Sequence, residues 1–436
     1  MKSSRILSDF IKYVFMNVCG MIGLSCYILA DTFFVSRGLG TNGLAALNLA
    51  IPVYNFIHGT GLMLGVGGAT RYTIAKSQNK HESADAIFST TVGVTLLFAL
   101  LFVVTGIVFS DELTRLLGAD AQIFEMTIIY IKVIMIFSPA FMLNDIFINF
   151  VRNDGAPGLS MAGMLVGSFA NIIFDYILIF PCQLGIFGAV LATGFSPVIS
   201  MAIMLKHKIK GHNEFHLVRK GIRHGRIAKT MTLGFPSLIT EISSGLVIII
   251  FNMIILQLEG NVGVAAYGVI ANLSLVVVAI YTGIGQGIQP IISREYGRND
   301  AKNVQHIIKY AITTTLALSV SIYAVMYFLA SPITSLFNSE NNPQLQAMAV
   351  QGLKLYFTSV VFVGFNIVIS VYFTSIEKPM PAHVISLLRG LIIIIPMAYI
   401  LAAIWDMTGV WLAFLVTEGI VFIVSMAVLY KTVRRG

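Results

Sequence analysis

The stretch Cys26-Tyr27-Ile28-Leu29-Ala30-Asp31-Thr32-Phe33-Phe34 places a carboxylate near the end of an apolar run over residues 10–36. A spanning helix needs about 20 mostly apolar residues, so this run is long enough to cross a bilayer. An ionisable side chain at lipid depth is costly, and by default it marks a pathway or a coupling site. The fold class follows from the run, and the function turns on whether other polar groups can meet Asp31.

Composition agrees with a membrane location. Of 436 residues, 57% are hydrophobic and 11% charged, with a mean hydropathy of +0.85, whereas soluble domains carry roughly a quarter charged residues. The net charge of +8 is spread over short connections between apolar runs, which argues against a nucleic-acid partner. Cys19, Cys26 and Cys182 show no CxxC spacing and read as buried, inert thiols instead of metal or redox ligands. The first apolar run is too long for the h-region of a cleavable signal peptide, so it reads as a retained span.

Runs of spanning length occur near 10–36, 43–77, 84–109, 123–151, 158–181 and 184–209. A second set follows near 228–258, 262–296, 303–329, 342–375, 381–404 and 408–431. The expectation is an all-α integral membrane protein of about twelve spans. Lys2, Arg5, Lys12, Lys76, Lys80, Arg152, the stretch Lys206 to Lys229, Arg294, Arg298, Lys302, Lys378, Lys431, Arg434 and Arg435 all fall on one side. The other side has little beyond Arg37, Arg115 and Lys132, so the positive-inside rule puts both termini in the cytoplasm.

The basic stretch is the long polar connection in mid-chain and reads as a linker over 210–227, between lobes at 1–209 and 228–436. His207, His212, His216 and His224 lie in or beside it; with no acidic or Cys ligand set, a solvated loop is the reading over a metal site. The halves also repeat. Leu44-Ala45-Ala46, Gly65-Val66-Gly67 and Asn79 recur as Val264-Ala265-Ala266, Gly285-Gln286-Gly287 and Asn299, at an offset of about 220 residues. Gly188-Ala189-Val190-Leu191-Ala192 recurs as Gly409-Val410-Trp411-Leu412-Ala413. Six spans per copy give both copies the same orientation, related by an axis along the membrane normal.

At a rise of about 1.5 Å per residue, Asp31 lies roughly 8 Å below the outer face, Asp175 about 9 Å, and Asn171 and Thr193 about 15 Å. Asn171 and Asp175 are four apart and share a helix face. Two carboxylates, an amide and a hydroxyl in one layer form an all-oxygen set suited to a proton or a small hard cation such as Na+. Neighbouring carboxylates also favour holding a proton, because both cannot easily stay ionised in a dry site. The alternative is that each is satisfied separately, with no joint role.

The second half carries a different set, Glu241, Lys354 and Glu418, all near the midplane by the same count. A buried Lys beside a Glu reads as a neutralised pair, with substrate recognition as the alternative, and Glu241 is the member suited to a cationic substrate. The repeat partner of Asp31 is Phe251, so the halves are expected to differ in function. His58 reads as a hydrogen-bonded packing residue, with a proton relay as the alternative. Asp145 reads as a local ion pair with Arg152, and Gly65, Gly67, Gly68, Gly283, Gly285 and Gly287 permit close helix approach.

Three stretches resemble the multidrug and toxic compound extrusion (MATE) transporters: Ala30-Asp31-Thr32-Phe33-Phe34-Val35-Ser36-Arg37-Gly38-Leu39-Gly40, Leu233-Gly234-Phe235-Pro236-Ser237, and Gly283 to Ser293 followed by Tyr296-Gly297. Their order and spacing cover essentially the whole chain. The resemblance implies two six-helix lobes that rock between inward- and outward-open states. It also implies export of cationic or amphipathic small molecules against inward flow of H+ or Na+, with no other cofactor, by a monomer in the bacterial plasma membrane. It puts the coupling ion at Asp31, Asn171, Asp175 and Thr193. The acid that the sodium-linked branch carries in the tenth helix has no match here, since that span offers Lys354. The rival reading is a related flippase for a lipid-linked precursor, which wants a more basic cavity than Lys354 and Arg389 provide. An intramembrane enzyme is disfavoured, because HExxH, GxSxG and paired His spacings are missing from the spans, and a channel is disfavoured by the duplicated lobes.

Overall fold

A computed structural model of the chain describes residues 2–218, 224–338 and 341–434. Arg219, Lys220 and Arg223 of the basic stretch, and Arg435, lie outside the described residues. Among the described residues every regular element is a helix. Three helices are far longer than a bilayer is thick: Lys2–Ser77, His224–Gly297 and Ile394–Arg434. The first two break at Gly40 (φ 66°) and Gly260 (φ 62°), the third at Trp405 and Asp406 (φ 49°). With ψ of −157° and −152° both glycines occupy a region that only a residue without a Cβ enters freely, and Asp406, at ψ −134°, is held close to it.

The chain folds back at each break. Tyr27 and Tyr54 would be about 40 Å apart along a straight helix, yet their hydroxyls lie 3.2 Å from each other. Phe251 stacks on Tyr267 with ring centroids 5.6 Å apart. At the third break a Cβ on Gly409 would sit 1.8 Å from the Leu401 carbonyl oxygen, so only glycine fits that close return.

Divided at these breaks, the described residues form twelve spans. The first six are 2–39, 41–77, His81–Val108, 124–153, Pro157–Ile179 and Gly185–Met204. The second six are 224–259, 261–297, Ala301–Phe328, Pro343–Ser375, 379–404 and 407–434. The fourth bends by 48° between Phe124–Ile136 and Ser138–Asn153, where Pro139 lacks the amide hydrogen needed to continue the ladder. Short helices Ser110–Leu116 and Ala330–Phe337 follow the third and ninth spans, so the repeat extends to the face opposite the termini. The first span continues to Leu39, which sets Asp31 deeper than the 8 Å expected from sequence, at about 12 Å from the break.

The apolar core divides into two clusters, one per lobe. Each receives the terminal-face end of a span from the other lobe. Ile6, Phe10, Tyr13 and Val14 of the first span pack into the second lobe, and Ile227, Met231, Phe235 and Leu238 of the seventh pack against the first. Backbones touch along these crossings. A Cβ on Gly234 would lie 1.8 Å from the Met63 carbonyl oxygen, and one on Gly67 2.0 Å from that of Thr230.

A polar seam closes the terminal face. Arg152 is 1% exposed and donates to Asn17 at 2.7 Å, to Gln286 of the second lobe at 2.6 Å, and to Asn149. Asn153 donates to Gln289 at 2.9 Å, and Gln289 donates to Thr70 at 2.9 Å. Arg152 is therefore a buried seam residue, not a solvated cation, and it does not pair with Asp145. In the connection after the sixth span His212 and His216 are exposed, as a solvated loop requires, but His207 is buried and anchored. Buried Asp154 accepts from Tyr72 at 2.5 Å, Lys76 at 2.7 Å and the Glu214 amide at 2.8 Å, and its other close contact is the His207 Nε2 at 2.7 Å. Phe215 sits among Tyr72, Phe88, Phe150 and His207. The acid that orders His207 is 53 residues away in sequence.

The thiols are not buried: Cys19 is half-buried, and Cys26 and Cys182 face out of the protein. Cys19 and Cys26 lie on the first span, and Cys182 in the turn between the fifth and sixth.

Candidate functional site

Asp31, Asn171, Asp175 and Thr193 converge in the first lobe, on the first, fifth and sixth spans. Their exposures are 8%, 0%, 0% and 6%, so all four are withdrawn from the surface. The turn that makes this possible is the helix spacing of Asn171 and Asp175, which sets both on the face of the fifth span toward the sixth. With its amide turned so that both ends are satisfied, Asn171 donates through its amide nitrogen to Asp175 Oδ2 at 3.0 Å and accepts from the Thr193 backbone N–H at 3.2 Å. The Thr193 hydroxyl donates to the Ala189 carbonyl at 3.2 Å, which leaves its lone pairs available.

The carboxyls of Asp31 and Asp175 face each other at hydrogen-bonding range. Two carboxylates have no hydrogen between them, so this contact requires a proton on one or a cation between both. Each also keeps one oxygen buried with no hydrogen-bond partner, Oδ1 in both cases. A buried unpartnered carboxylate oxygen is strongly unfavourable, and a proton or a small hard cation is the group that would relieve it. The residues present thus fit a coupling ion.

Three tyrosines that the sequence reading did not single out complete the surroundings. Buried Tyr130 of the fourth span lies beside the Thr193 hydroxyl and Asp31. Tyr27 precedes Asp31 by four residues and shares its face, a signal that was available. Its hydroxyl meets that of Tyr54 on the second span at 3.2 Å. Tyr130 had no such signal, because nothing in sequence fixes the rotation of the fourth span against the first.

Beyond Tyr54 lies a second polar group. His58, one turn along the second span, stacks on Tyr54 with an interplanar angle of 8°. Its Nδ1 is 3.0 Å from Asp145 Oδ2. Asp145 was expected beside Arg152; instead the tilt of the bent fourth span turns it to the second span, where Gly61 leaves room for its carboxylate. Glu241 of the seventh span approaches the same place from the other lobe, packed against Gly59 and acting electrostatically on His58 and Asp145.

Glu241, Lys354 and Glu418 do not form one set. Glu418 of the twelfth span pairs with Arg389, whose guanidinium donates from Nη2 at 2.8 Å and from Nε at 3.1 Å. Asn366 also donates to Glu418, at 2.7 Å. Lys354 instead lies over the Tyr327 ring, 5.0 Å from its centroid. A similar depth did not make them neighbours, because the π-helical turn Leu388–Ile392 aims Arg389 at Glu418 while Lys354 turns to the ninth span.

The MatE family model matches residues 18–177 and 236–400, one segment in each lobe. The chain therefore belongs to the MATE family and is a multi-pass membrane transporter. Among its relatives, the multidrug export protein MepA of Staphylococcus saprophyticus is 24% identical over 431 residues, covering 98% of this chain and 94% of the relative. A MepA of Staphylococcus aureus is 26% identical over 409 residues, covering 93% and 89%. A solved structure described as the outward-facing conformation of a multidrug resistance MATE family transporter superposes with a TM-score of 0.91 at 22% identity, covering 98% of this chain and 95% of that one.

Proposed function

We propose that the protein is a cation-coupled antiporter that exports cationic or amphipathic compounds from a bacterial cell by alternating access. H+ or Na+ would drive it, binding among Asp31, Asn171, Asp175 and Thr193. The observation that carries this reading is the pair of facing, buried carboxyls, each with an unpartnered oxygen. Such a pair has two states of different charge and different preferred spacing, which a coupling site requires. The MepA relatives, named as multidrug export proteins, support the class of cargo. A monomer with both termini in the cytoplasm completes the proposal, the latter resting on the Lys and Arg bias.

Ion and cargo are linked through the shape of the first lobe. Loading draws Asp31 and Asp175 together and tilts the first span; the cargo favours the unloaded shape. Each then weakens binding of the other by the same factor. The experiment is dye efflux from vesicles with a proton gradient and a sodium gradient imposed separately. Efflux driven by one of them and lost in Asp31→Asn, with the variant still folded in the membrane, is the expected result. Efflux by Asp31→Asn at the unmutated rate would overturn the assignment.

A further inference from the structure

Coupling requires the ion site, which lies inside one lobe, to be sensed at the seam between lobes. The route between them is the line Tyr27, Tyr54, His58, Asp145 and Glu241. Tyr27 touches the surroundings of Asp31 and Asp175 at one end, and Glu241 belongs to the other lobe. His58 is the member of that line with a carboxylate from each lobe acting on it, Asp145 and Glu241.

We propose that His58 is a second protonation site and acts as a charge-dependent clasp between the lobes. With His58 protonated, an imidazolium sits between Asp145 of its own lobe and Glu241 of the other, and attraction to both holds the second and seventh spans together. When His58 gives up its proton, the carboxylates of Asp145 at Gly61 and Glu241 at Gly59 are left near one another at the seam with no positive charge beside them, and they repel. The seam is favourable in one state and unfavourable in the other. The spans here already meet backbone to backbone at Gly67 and Gly234, and at Gly59 the Glu241 and Leu238 side chains pack on the second span, so a small separation at His58 is transmitted along the crossing. The clasp rests on the proposed alternating access of the lobes, but not on the identity of the coupling ion.

Other ionisable groups around His58 are few. Tyr54 stacks on it, with Tyr27 behind. Asp31 of the first span and Asp175 of the fifth lie beyond Tyr27. His81, Glu82 and Asp85 of the third span all sit in its first turns, toward the terminal face. His383 of the eleventh span lines the groove beside Thr60 and is held to the Thr232 carbonyl at 2.6 Å. Asp145 and Glu241 are thus the charges that decide the clasp.

The test is the distance between spin labels on Leu116 and Leu336, exposed residues of the equivalent short helices on the face opposite the termini. Cys19, Cys26 and Cys182 are first replaced, and the full chain is placed in lipid nanodiscs. As pH rises from about 5 to about 10, bracketing the ordinary histidine range, the parent should shift toward shorter distances as the terminal-face seam loosens. His58→Gln should lose that shift, Glu241→Gln should lose most of it, and Asp31→Asn should keep it while losing efflux. An unchanged shift in His58→Gln would overturn the clasp; if that variant does not fold, an unchanged shift in Glu241→Gln does so. Because Asp31→Asn is read by efflux and the clasp by distance, failure of one leaves the other standing.

Discussion

Asp31 and Phe251 occupy equivalent places, each nine residues before the left-handed glycine that ends its span, Gly40 or Gly260. Around Asp31 the first lobe gathers a second carboxyl, an amide and a hydroxyl, and leaves two carboxylate oxygens without partners. Around Phe251 the second lobe gathers rings, with Phe414 at 5.3 Å and Tyr267 at 5.6 Å, and Trp411 stacked on Tyr267 beyond. Its charged pair, Arg389 with Glu418, is satisfied internally and further bonded by Asn366. Duplication preserved the backbone break, which asks only for glycine and close packing, while the buried side chain between two and three turns away was free to diverge. The first lobe leaves two buried carboxylate oxygens unpartnered, whereas the buried acid Glu418 of the second lobe is paired; what the second lobe leaves unpartnered is neutral, at Thr315, Trp411 and Thr417.

That contrast can be broken most sharply at Phe251. Phe251→Asp removes a buried aromatic, worth about 3–5 kcal/mol, and adds an unpaired carboxylate; thermal unfolding in detergent should fall by more than that loss alone, and the variant should not restore efflux to Asp31→Asn. Next comes Glu418→Gln, which leaves the half-buried Arg389 without its counter-charge and should cost at most about 3–5 kcal/mol of stability by the same measurement. Exchanging both partners for apolar residues of similar volume should recover much of it. In the first lobe the direction reverses. Asp175→Asn should leave unfolding nearly unchanged yet lose driven efflux, and the factor by which the coupling ion weakens cargo binding, about 5- to 150-fold in the intact protein, should fall toward one. The smallest effect is expected at Lys354→Met, where losing a cation–π contact changes stability by about 0.5–2 kcal/mol with efflux unaffected. A large efflux defect there would make the second lobe functional after all.

The four first-lobe residues were legible in the sequence because lipid makes polar groups conspicuous and depth accumulates predictably along a helix. The same count failed for partners. Asp145 bonds His58 and not Arg152, Glu418 bonds Arg389 and not Lys354, and His207 bonds Asp154 instead of facing solvent. Depth says which layer a side chain occupies, whereas a partner depends also on the rotation and tilt of each helix. The bend at Pro139 and the π-helical turn at Arg389 set two of these.

By itself the sequence determined the membrane class, the twelve spans, the two copies and the layer in which Asp31, Asn171, Asp175 and Thr193 lie. These rest on hydropathy, length and periodicity, which are properties of a helix taken alone. Tertiary structure decided that the carboxyls of Asp31 and Asp175 face each other, that Arg152 seals a seam between lobes, and that His58 stands between acids of both. Those facts depend on how helices are turned against one another, a quantity to which residues distant in sequence contribute jointly.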